Sequence, residues 1–562
     1  MTLFERIIAA RGISLEDSDA FLFPQYEKGH DPFLLPDMAP AVERLVAAHK
    51  KQERITIYGD YDIDGLTATT VLLDAFEQFG FEHVKSFIPN RFVEGYGLTI
   101  AAVERIVEEG ADLIVTVDCG SLSHKEIIRA KELGIEVIVT DHHNVAPEQP
   151  PAVAVVNPKR LLQDYPDEYE GYVMKPDSAK QGELYPFLDL PGVGVAFKLV
   201  QALQTRLVGI PAGQEKWLLD AVALGTVCDV VTLVDENRSH VYWGLKVLAQ
   251  TRRPGLKALM AVAEVQPHLV NARSLGFGLG PRMNAAGRLE TAQHSLDLLT
   301  AEDPMQALEL ARKLDDMNRA RRREQDEILK AAIIQAEEFA DDNVLVVSAP
   351  DWNHGIVGIV AAKLLEKYKK PTYVLAEHGE ETKGSARSYG EFSAADAIRA
   401  SDDIITKGGG HRLAAGVTLP TANVAAFRAR VNEHYKSLKL KNQPDLLLPK
   451  ADADATLDEL TEVLVDRLAQ LEPFGSGNPQ PIVRIENVLV SNLRRMGAES
   501  QHVKLSLKDA TGHSIDALAF NAPEHFFTEP GTRVTVWCAV ELNEWQGRRS
   551  VEGRLLHLEL VN

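Results

Sequence analysis

Apolar positions between residues 54 and 156 follow two alternating rhythms. Short runs rich in Ile, Val and Thr have the length and β-branched content of strands: RITIYGD (54–60), VKSFIP (84–89), ADLIVTVD (111–118), IEVIVTD (135–141) and AVAVVN (152–157). TATTVLLDAFEQFG (67–80), TIAAVERIVEEG (99–110) and a stretch from Ser123 to Leu133 carry helical periodicity. This alternation predicts a parallel sheet covered by helices. A stretch rich in Pro, Tyr and acids then reads as a loop up to Pro191, and helical patterns dominate beyond it (193–208, 214–228, 239–250). One long helical pattern runs from about Pro304 to Phe339. A second α/β unit begins at NVLVVSA (343–349) and continues through a helical stretch (354–368) and PTYVLAE (371–377). Five short β-like runs near the C-terminus (481–490, 502–509, 514–520, 533–545, 550–560) predict a small barrel of OB type.

Composition narrows the class. A chain of 562 residues with 45% hydrophobic and 25% charged residues is an ordinary soluble protein of several domains. No apolar run is long enough to span a membrane, and MTLFERIIAARG lacks the basic start and apolar core of a signal peptide. Three cysteines without a CxxC pair fit a reducing cytosol, so the expected location is cytoplasmic. Cys119 and Cys228 read as small buried residues rather than reactive thiols. The net charge of −21 argues against a nucleic-acid coat protein, but not against an enzyme whose local field differs from the total.

The chemistry collects at the ends of the apolar runs. Asp60, Asp62 and Asp64 alternate in DYDIDG, Asp118 ends a strand-like run in VDCG, Asp141 opens DHH, and Asp229 ends GTVCD. In an open α/β sheet such strand ends meet at the ligand-binding edge. Carboxylates packed together repel unless protonated or neutralised by cations, so a divalent metal site follows, with His142 and His143 beside it. An EF-hand loop starting at Asp60 would need a bidentate Glu at its twelfth position, which is Val71. Oxygen and imidazole donors without thiolate suit Mn²⁺ or Mg²⁺. A lone DHH is compatible with an Asp-capped turn, whereas four unrelated acidic turns would be a coincidence.

Elsewhere, KGSARS (383–388) and the glycine-rich turn GGGHRLAAG (408–416) suggest a phosphate pocket in which Ser385 and Arg387 take part. Arg319, Arg321, Arg322 and Arg323 on the long helix read as a solvated face paired with acidic neighbours. On the barrel, Phe520, Trp537 and Trp545 with Arg494, Arg495, Lys504, Arg548 and Arg549 are candidates for stacking bases and tracking a backbone.

Together these motifs resemble a known family. YGDYDIDG, VDCG, DHH and GTVCD resemble the ordered motifs of DHH phosphoesterases, and GGGHRLAAG resembles the signature of their DHHA1 domain. PNRFVEGYGL (89–98), LPGVGVAFKL (190–199), GPRMNAAGRL (280–289) and LEPFGSGNPQP (471–481) are similar to the RecJ family of single-stranded-DNA-specific exonucleases. The resemblance implies an α/β fold with a parallel-sheet DHH domain (1–300), a connecting helix (301–340), a DHHA1 domain (341–440) and a C-terminal OB-fold β-barrel (456–562). It implies 5′→3′ hydrolysis of single-stranded DNA to mononucleotides with two Mn²⁺ or Mg²⁺ ions, roughly 4 Å apart. Asp60, Asp62, Asp118, His142 and Asp229 would be ligands, with Asp62 or Asp118 bridging. Asp141 would orient a neighbouring histidine and His143 would meet the scissile phosphate, while Asp64 reads as a ligand or a helix N-cap, the cap being favoured. Arg91, Arg282, Ser385, Arg387 and His411 would hold the substrate, salt bridging being the alternative for Arg91 and Arg282. The implied partners are single-stranded DNA with a 5′ end, single-strand binding protein and a helicase; a monomer without membrane contact is expected. The other classes are a phosphodiesterase of short RNA or cyclic dinucleotides, and a non-catalytic replication scaffold. One departure is the acidic insertion 161–184, expected to be a mobile surface loop.

Overall fold

The computed structural model describes residues 1–562 except 15, 17, 91–93, 95–96, 170–183, 441–442, 546 and 562, and only the backbone at 545. It divides into two compact units, Met1–Asp315 with Pro449–Asn562, and Asp316–Leu448.

The first unit is built on five parallel strands, β1 (Ile55–Gly59), β2 (Val84–Phe87), β3 (Leu113–Val117), β4 (Glu136–Thr140) and β5 (Ala154–Val156), in the order β2-β1-β3-β4-β5. β1 and β3 are buried along their whole length, which explains why both read as continuous apolar runs rather than alternating ones. The chain leaves β1 towards β2, then crosses to the other side for β3. This reversal opens a crevice beyond the carboxyl ends of β1 and β3, where open α/β sheets bind ligands. The helices Ile63–Phe79, Gly192–Gln204 and Leu219–Cys228 are almost wholly buried and pack with the sheet in one core.

The barrel has strands β12 (Val483–Met496), β13 (His502–Lys508), β14 (Ser514–Ala519), β15 (Arg533–Trp545) and β16 (Arg548–Leu560). Its order β12-β13-β14-β16-β15 closes back onto β12, with β14 and β16 parallel, and a short β11 (Ala453–Asp454) extends β12. Closure removes the free edges that five short strands would otherwise expose. The N-terminal helix Leu3–Ala10 shares this barrel's core through Leu3, Phe4, Ile7 and Ile8. Arg238, only 2% exposed, sits on the Asp235–Leu248 helix and donates to the carbonyls of Phe21, Leu471 and Glu472 at 2.8–2.9 Å. One guanidinium thus fastens three chain segments.

The second unit holds the order β6-β7-β8-β10-β9, where β6 is Leu345–Pro350, β7 Thr372–His378, β8 Glu381–Arg387, β9 Lys407–Gly410 and β10 Ala414–Pro420. Only β6 and β7 run parallel. The stretch 408–416, expected as a glycine-rich turn, is instead the core of an antiparallel hairpin between β9 and β10. The long helix is Pro304–Glu338.

Two expectations need correction. Arg321 is buried and donates to Asn318 and Gln325, so the arginine cluster is not one solvated face; Arg319, Arg322 and Arg323 are exposed. Of the insertion 161–184, residues 170–183 lie outside the described residues, but its first part is structured. Leu161–Asp164 is helical, and buried Tyr169 donates to the Tyr185 carbonyl at 2.7 Å. Its acidic composition hid two apolar anchors, Leu161 and Tyr169.

Replacing Arg238 with Met should leave three carbonyls without their donor, at a cost of about 3 kcal/mol. A drop of several degrees in the first thermal transition of the full chain is the expected outcome; an unchanged transition would contradict the fastening role.

Candidate metal centre

Each acidic side chain reaches the crevice for a local reason. Asp60 leaves β1 directly after Gly59 and is 2% exposed. Asp62 is the N-cap of the Ile63–Phe79 helix; its Oδ1 accepts from the amides of Asp64 at 3.0 Å and Gly65 at 3.2 Å. The cap is therefore Asp62, correcting the expectation for Asp64. Asp64 lies one position inside the helix, and its carboxylate accepts from the amides of Gly192 (2.6 Å) and Val193 (2.8 Å), the exposed donors at the start of the Gly192–Gln204 helix. Asp118 follows β3 with φ +60°, a strained conformation for an aspartate. A Cβ at residue 192 would come 2.6 Å from the Asp118 Cβ, so only glycine lets that helix start approach so closely. Asp229 is the C-cap of the Leu219–Cys228 helix, followed by Val230 at φ +62°.

Asp141 serves as a brace. Its Oδ1 accepts from the amides of His142 and His143 and lies 2.9 Å from His143 Nδ1, while its Oδ2 accepts from the Ser121 amide. Asn157 donates to Ser121 Oγ and the His143 carbonyl, a support the sequence reading missed because one asparagine after a strand carries no signal. His143 remains 42% exposed at the side chain, whereas His142 is 9% exposed. His142 Nε2 lies 3.1 Å from Asp118 Oδ1 and 3.7 Å from both Asp64 Oδ2 and Asp229 Oδ2.

Three donor groups result, each within 4.8 Å: Asp60, Asp62 and Asp118; Asp64, His142 and Asp229; Asp118, His142 and His143. Asp118 and His142 each join two of them. Of the two readings that the sequence offered for Asp64, ligand or cap, the less favoured one agrees with its place among the donors. Among the described residues, Asp118 Oδ1, His142 Nε2 and Asp229 Oδ2 are buried and accept or donate no hydrogen bond. Buried polar atoms are rarely left so, and these converge on common points. The donor set fits divalent cations of the Mn²⁺ or Mg²⁺ kind.

Electrostatics agree. Burial, then repulsion from Asp62, pushes the Asp64 carboxyl up to about 7. Burial, then Asp64, pushes Asp229 up to about 9, and burial with the neighbouring carboxylates lifts Asp118 well above its ordinary value. Burial, then His143, lowers His142 to about 3, so its ring is neutral and ready to coordinate. Burial works against an ionised Asp141, but the hydrogen bond and charge of His143 outweigh it and hold that carboxyl low. Burial likewise opposes the His143 cation, and Asp141 reverses this and raises it. Burial raises the Cys119 and Cys228 thiols, consistent with packing roles.

Arg282 stands on the Gly280–Leu289 helix, where it pairs with Asp315 at 2.9 Å and donates to the Gly278 carbonyl; the salt-bridge alternative is the arrangement seen. Arg91 lies outside the described residues. In the second unit, Ser385 and Arg387 project from β8 towards the start of the Val357–Tyr368 helix. A Cβ at residue 358 would lie 3.3 Å from both Arg387 Nη2 and Ser385 Oγ, so glycine keeps open a spot flanked by a hydroxyl, a guanidinium and a helix N-terminus. No carboxylate pairs with Arg387 among the described residues, and burial lowers its pKa. Register places Ser385 beside Gly416 and Gly416 beside Gly409, with exposed His411 in the adjoining hairpin loop.

On the barrel, Lys504 is held by Asp516 and Glu552, Arg549 by Asp466, and Arg495 lies over the Phe527 ring. Trp537 is half-buried against His557. Phe520 (65% exposed) and the exposed Arg494 and Arg548 remain available.

Comparison with known proteins follows this division. Residues 54–226 match the DHH family N-terminal domain, 341–437 the DHHA1 domain and 451–557 the RecJ OB domain. The chain is 36% identical to the single-stranded-DNA-specific exonuclease RecJ of Bacillus subtilis over 97% of its own length and 66% of that protein. With the Escherichia coli RecJ it is 34% identical over 98% of its length and 94% of that protein. Thermus thermophilus RecJ, crystallised with Mn²⁺, is similar in structure with a TM-score of 0.78 and 29% identity, covering 99% of this chain and 77% of that one. A second crystal structure of that protein holds Mg²⁺.

Raised carboxyl pKa values stabilise the metal-free fold below the ordinary carboxylate range, and this stabilisation is lost as pH rises through about 7 for Asp64 and about 9 for Asp229. Cations compete with those protons. The rise in melting temperature caused by Mn²⁺ should therefore grow as pH rises from about 5 to about 8; a rise independent of pH, measured by calorimetry, would contradict this electrostatic account.

Proposed function

Because the chain belongs to the RecJ family of single-stranded-DNA-specific exonucleases, we propose that it is a metal-dependent exonuclease that degrades single-stranded DNA from the 5′ end to mononucleotides, in recombination and repair. The observation that carries the reading is the two donor groups, Asp60 with Asp62 and Asp118, and Asp64 with His142 and Asp229, beside the partly exposed His143. When bound, two divalent cations supply hydroxide near neutral pH and neutralise charge on the attacking and leaving oxygens.

The chain's own residues do the rest. Asp60, Asp62 and Asp118 form one ligand group, and Asp64, His142 and Asp229 the other. Asp141 holds His143 in one orientation, and His143 donates to the phosphate oxygen as negative charge develops. Ser385 and Arg387, with the amides of the neighbouring helix start, bind a substrate phosphate, and His411 lies beside them. Arg282 reaches substrate by exchanging Asp315 for a phosphate oxygen, and Arg91 acts on the same phosphates. Phe520 and the exposed Arg494 and Arg548 on the barrel grip the incoming strand. The complete donor set favours this reading over a non-catalytic scaffold, and the barrel favours a polymeric strand over a dinucleotide. Single-strand binding protein and a helicase would present such a strand to a monomeric enzyme in the cytoplasm. No helix of the described residues is long and apolar enough to cross a membrane.

With Mn²⁺ and oligonucleotides labelled at either end, the wild-type chain should release mononucleotides from the 5′ end only. Asp118→Ala should reduce the rate to background, and His143→Ala should cost about a hundredfold or more in kcat. Attack from the 3′ end, or hydrolysis surviving Asp118→Ala, would overturn the proposal. Arg387→Ala should raise KM for 5′-phosphorylated strands by about tenfold, and an unchanged KM would remove that residue from the substrate site.

A further inference from the structure

The segment Leu471–Pro481 lies between the Glu462–Ala469 helix and the first barrel strand, and the mechanism gives it no role. Its turn touches the backbone that carries Asp229. The Leu233 amide donates to the Ser476 carbonyl at 2.8 Å. Gly477 has φ +70°, and a Cβ there would come 2.9 Å from the Thr232 Cβ. A Cβ at residue 475 would meet only Leu233, at 2.7 Å. Gly477 therefore allows an approach that a side chain would strain, and a side chain at 475 would press on that of Leu233.

The far side of that contact is equally constrained. Thr232 donates through its amide (2.9 Å) and its hydroxyl (2.5 Å) to Asp189 Oδ2. Asn237 donates to the carbonyls of Asp189 and Thr232. Asp229 and the left-handed Val230 thus begin a short turn clamped at its other end. The 471–481 turn is itself rigid: buried Asn478 donates to the carbonyls of Leu471 and Pro473 and accepts from Arg11.

We infer that the turn Pro473–Asn478 is a positioning device for the metal ligand Asp229, tying the barrel's mounting to the geometry of the metal centre. Asp229 follows a helix end, where the backbone is free to swing, and it is the ligand farthest in sequence from the other carboxylates. Bracing from Leu233 and Thr232 removes that freedom and aims Oδ2 at His142 and Asp64. Removing such outer support from a ligand costs metal affinity rather than substrate binding. The inference rests on the metal-centre reading, and its test separates the two.

Titration calorimetry of the full chain with Mn²⁺ alone, well below the melting transition, is the test. Gly477→Ala should weaken Mn²⁺ binding about tenfold and lower kcat while leaving KM for single-stranded DNA nearly unchanged. Gly475→Val should do the same, and adding Leu233→Ala, which removes the side chain the new group meets, should restore much of the Mn²⁺ affinity. This pair decides the matter if Gly477→Ala does not fold. Unaltered Mn²⁺ affinity in a folded Gly477→Ala or Gly475→Val chain overturns the inference, as does failure of Leu233→Ala to restore affinity. Absence of Mn²⁺ binding by the wild-type chain would overturn the metal-centre reading instead.

Discussion

Mutual repulsion among buried carboxylates is the constraint on which the rest of the structure depends. Asp60, Asp64 and Asp118 are each no more than 2% exposed, and Asp62 and Asp229 stand close by. Elsewhere this chain pairs a buried charge with an opposite one, as in Lys198 with Glu236. Such a cluster persists in a fold only with protons or cations in it. The fold tolerates it because neighbouring groups offset part of the cost. Asp64 takes two amides of a helix start, Asp62 caps another helix, and Asp141 is satisfied by three backbone donors and His143.

The sheet topology makes that collection possible. β1, β3 and β4 end side by side, so residues that immediately follow them, Asp60, Asp118 and Asp141, are neighbours despite spacings of 58 and 23 residues in the chain. The reversal of strand order between β1 and β3 leaves the crevice uncovered by a crossover helix. The strained φ of Asp118 fits this picture: strain accumulates where the surrounding structure dictates a side chain's aim.

An acidic protein that handles DNA is less paradoxical in this light. Five of the carboxylates counted in the charge of −21, Asp60, Asp62, Asp64, Asp118 and Asp229, belong to the donor groups of the metal centre, where bound divalent cations would offset them. On the function proposed above, phosphate would meet local positive potential instead: bound cations at the donor groups of one unit, and Arg387 with a helix start in the other. Local geometry therefore outweighs total charge.

Period and composition by themselves determined the parallel sheet, its strand ends, the second α/β unit and the barrel, because apolar runs punctuated by glycine and acidic residues report buried strands directly. The same logic brought Asp60, Asp118, Asp141 and Asp229 to one edge as a carboxylate cluster suited to a metal, whereas the ligand set Asp60, Asp62, Asp118, His142 and Asp229 came from the family resemblance. What only the tertiary structure decided depends on partners distant in the chain. Asp62 rather than Asp64 caps the helix, because Gly192 and Val193, 128 and 129 residues away, claim the Asp64 carboxylate. Arg282 is committed to Asp315, 33 residues on; Arg321 is the local exception, donating to Asn318 and Gln325 of its own helix. The Leu471–Pro481 motif was visible as a pattern, but its contact with the Asp229 turn spans more than 240 residues, a distance no local periodicity encodes.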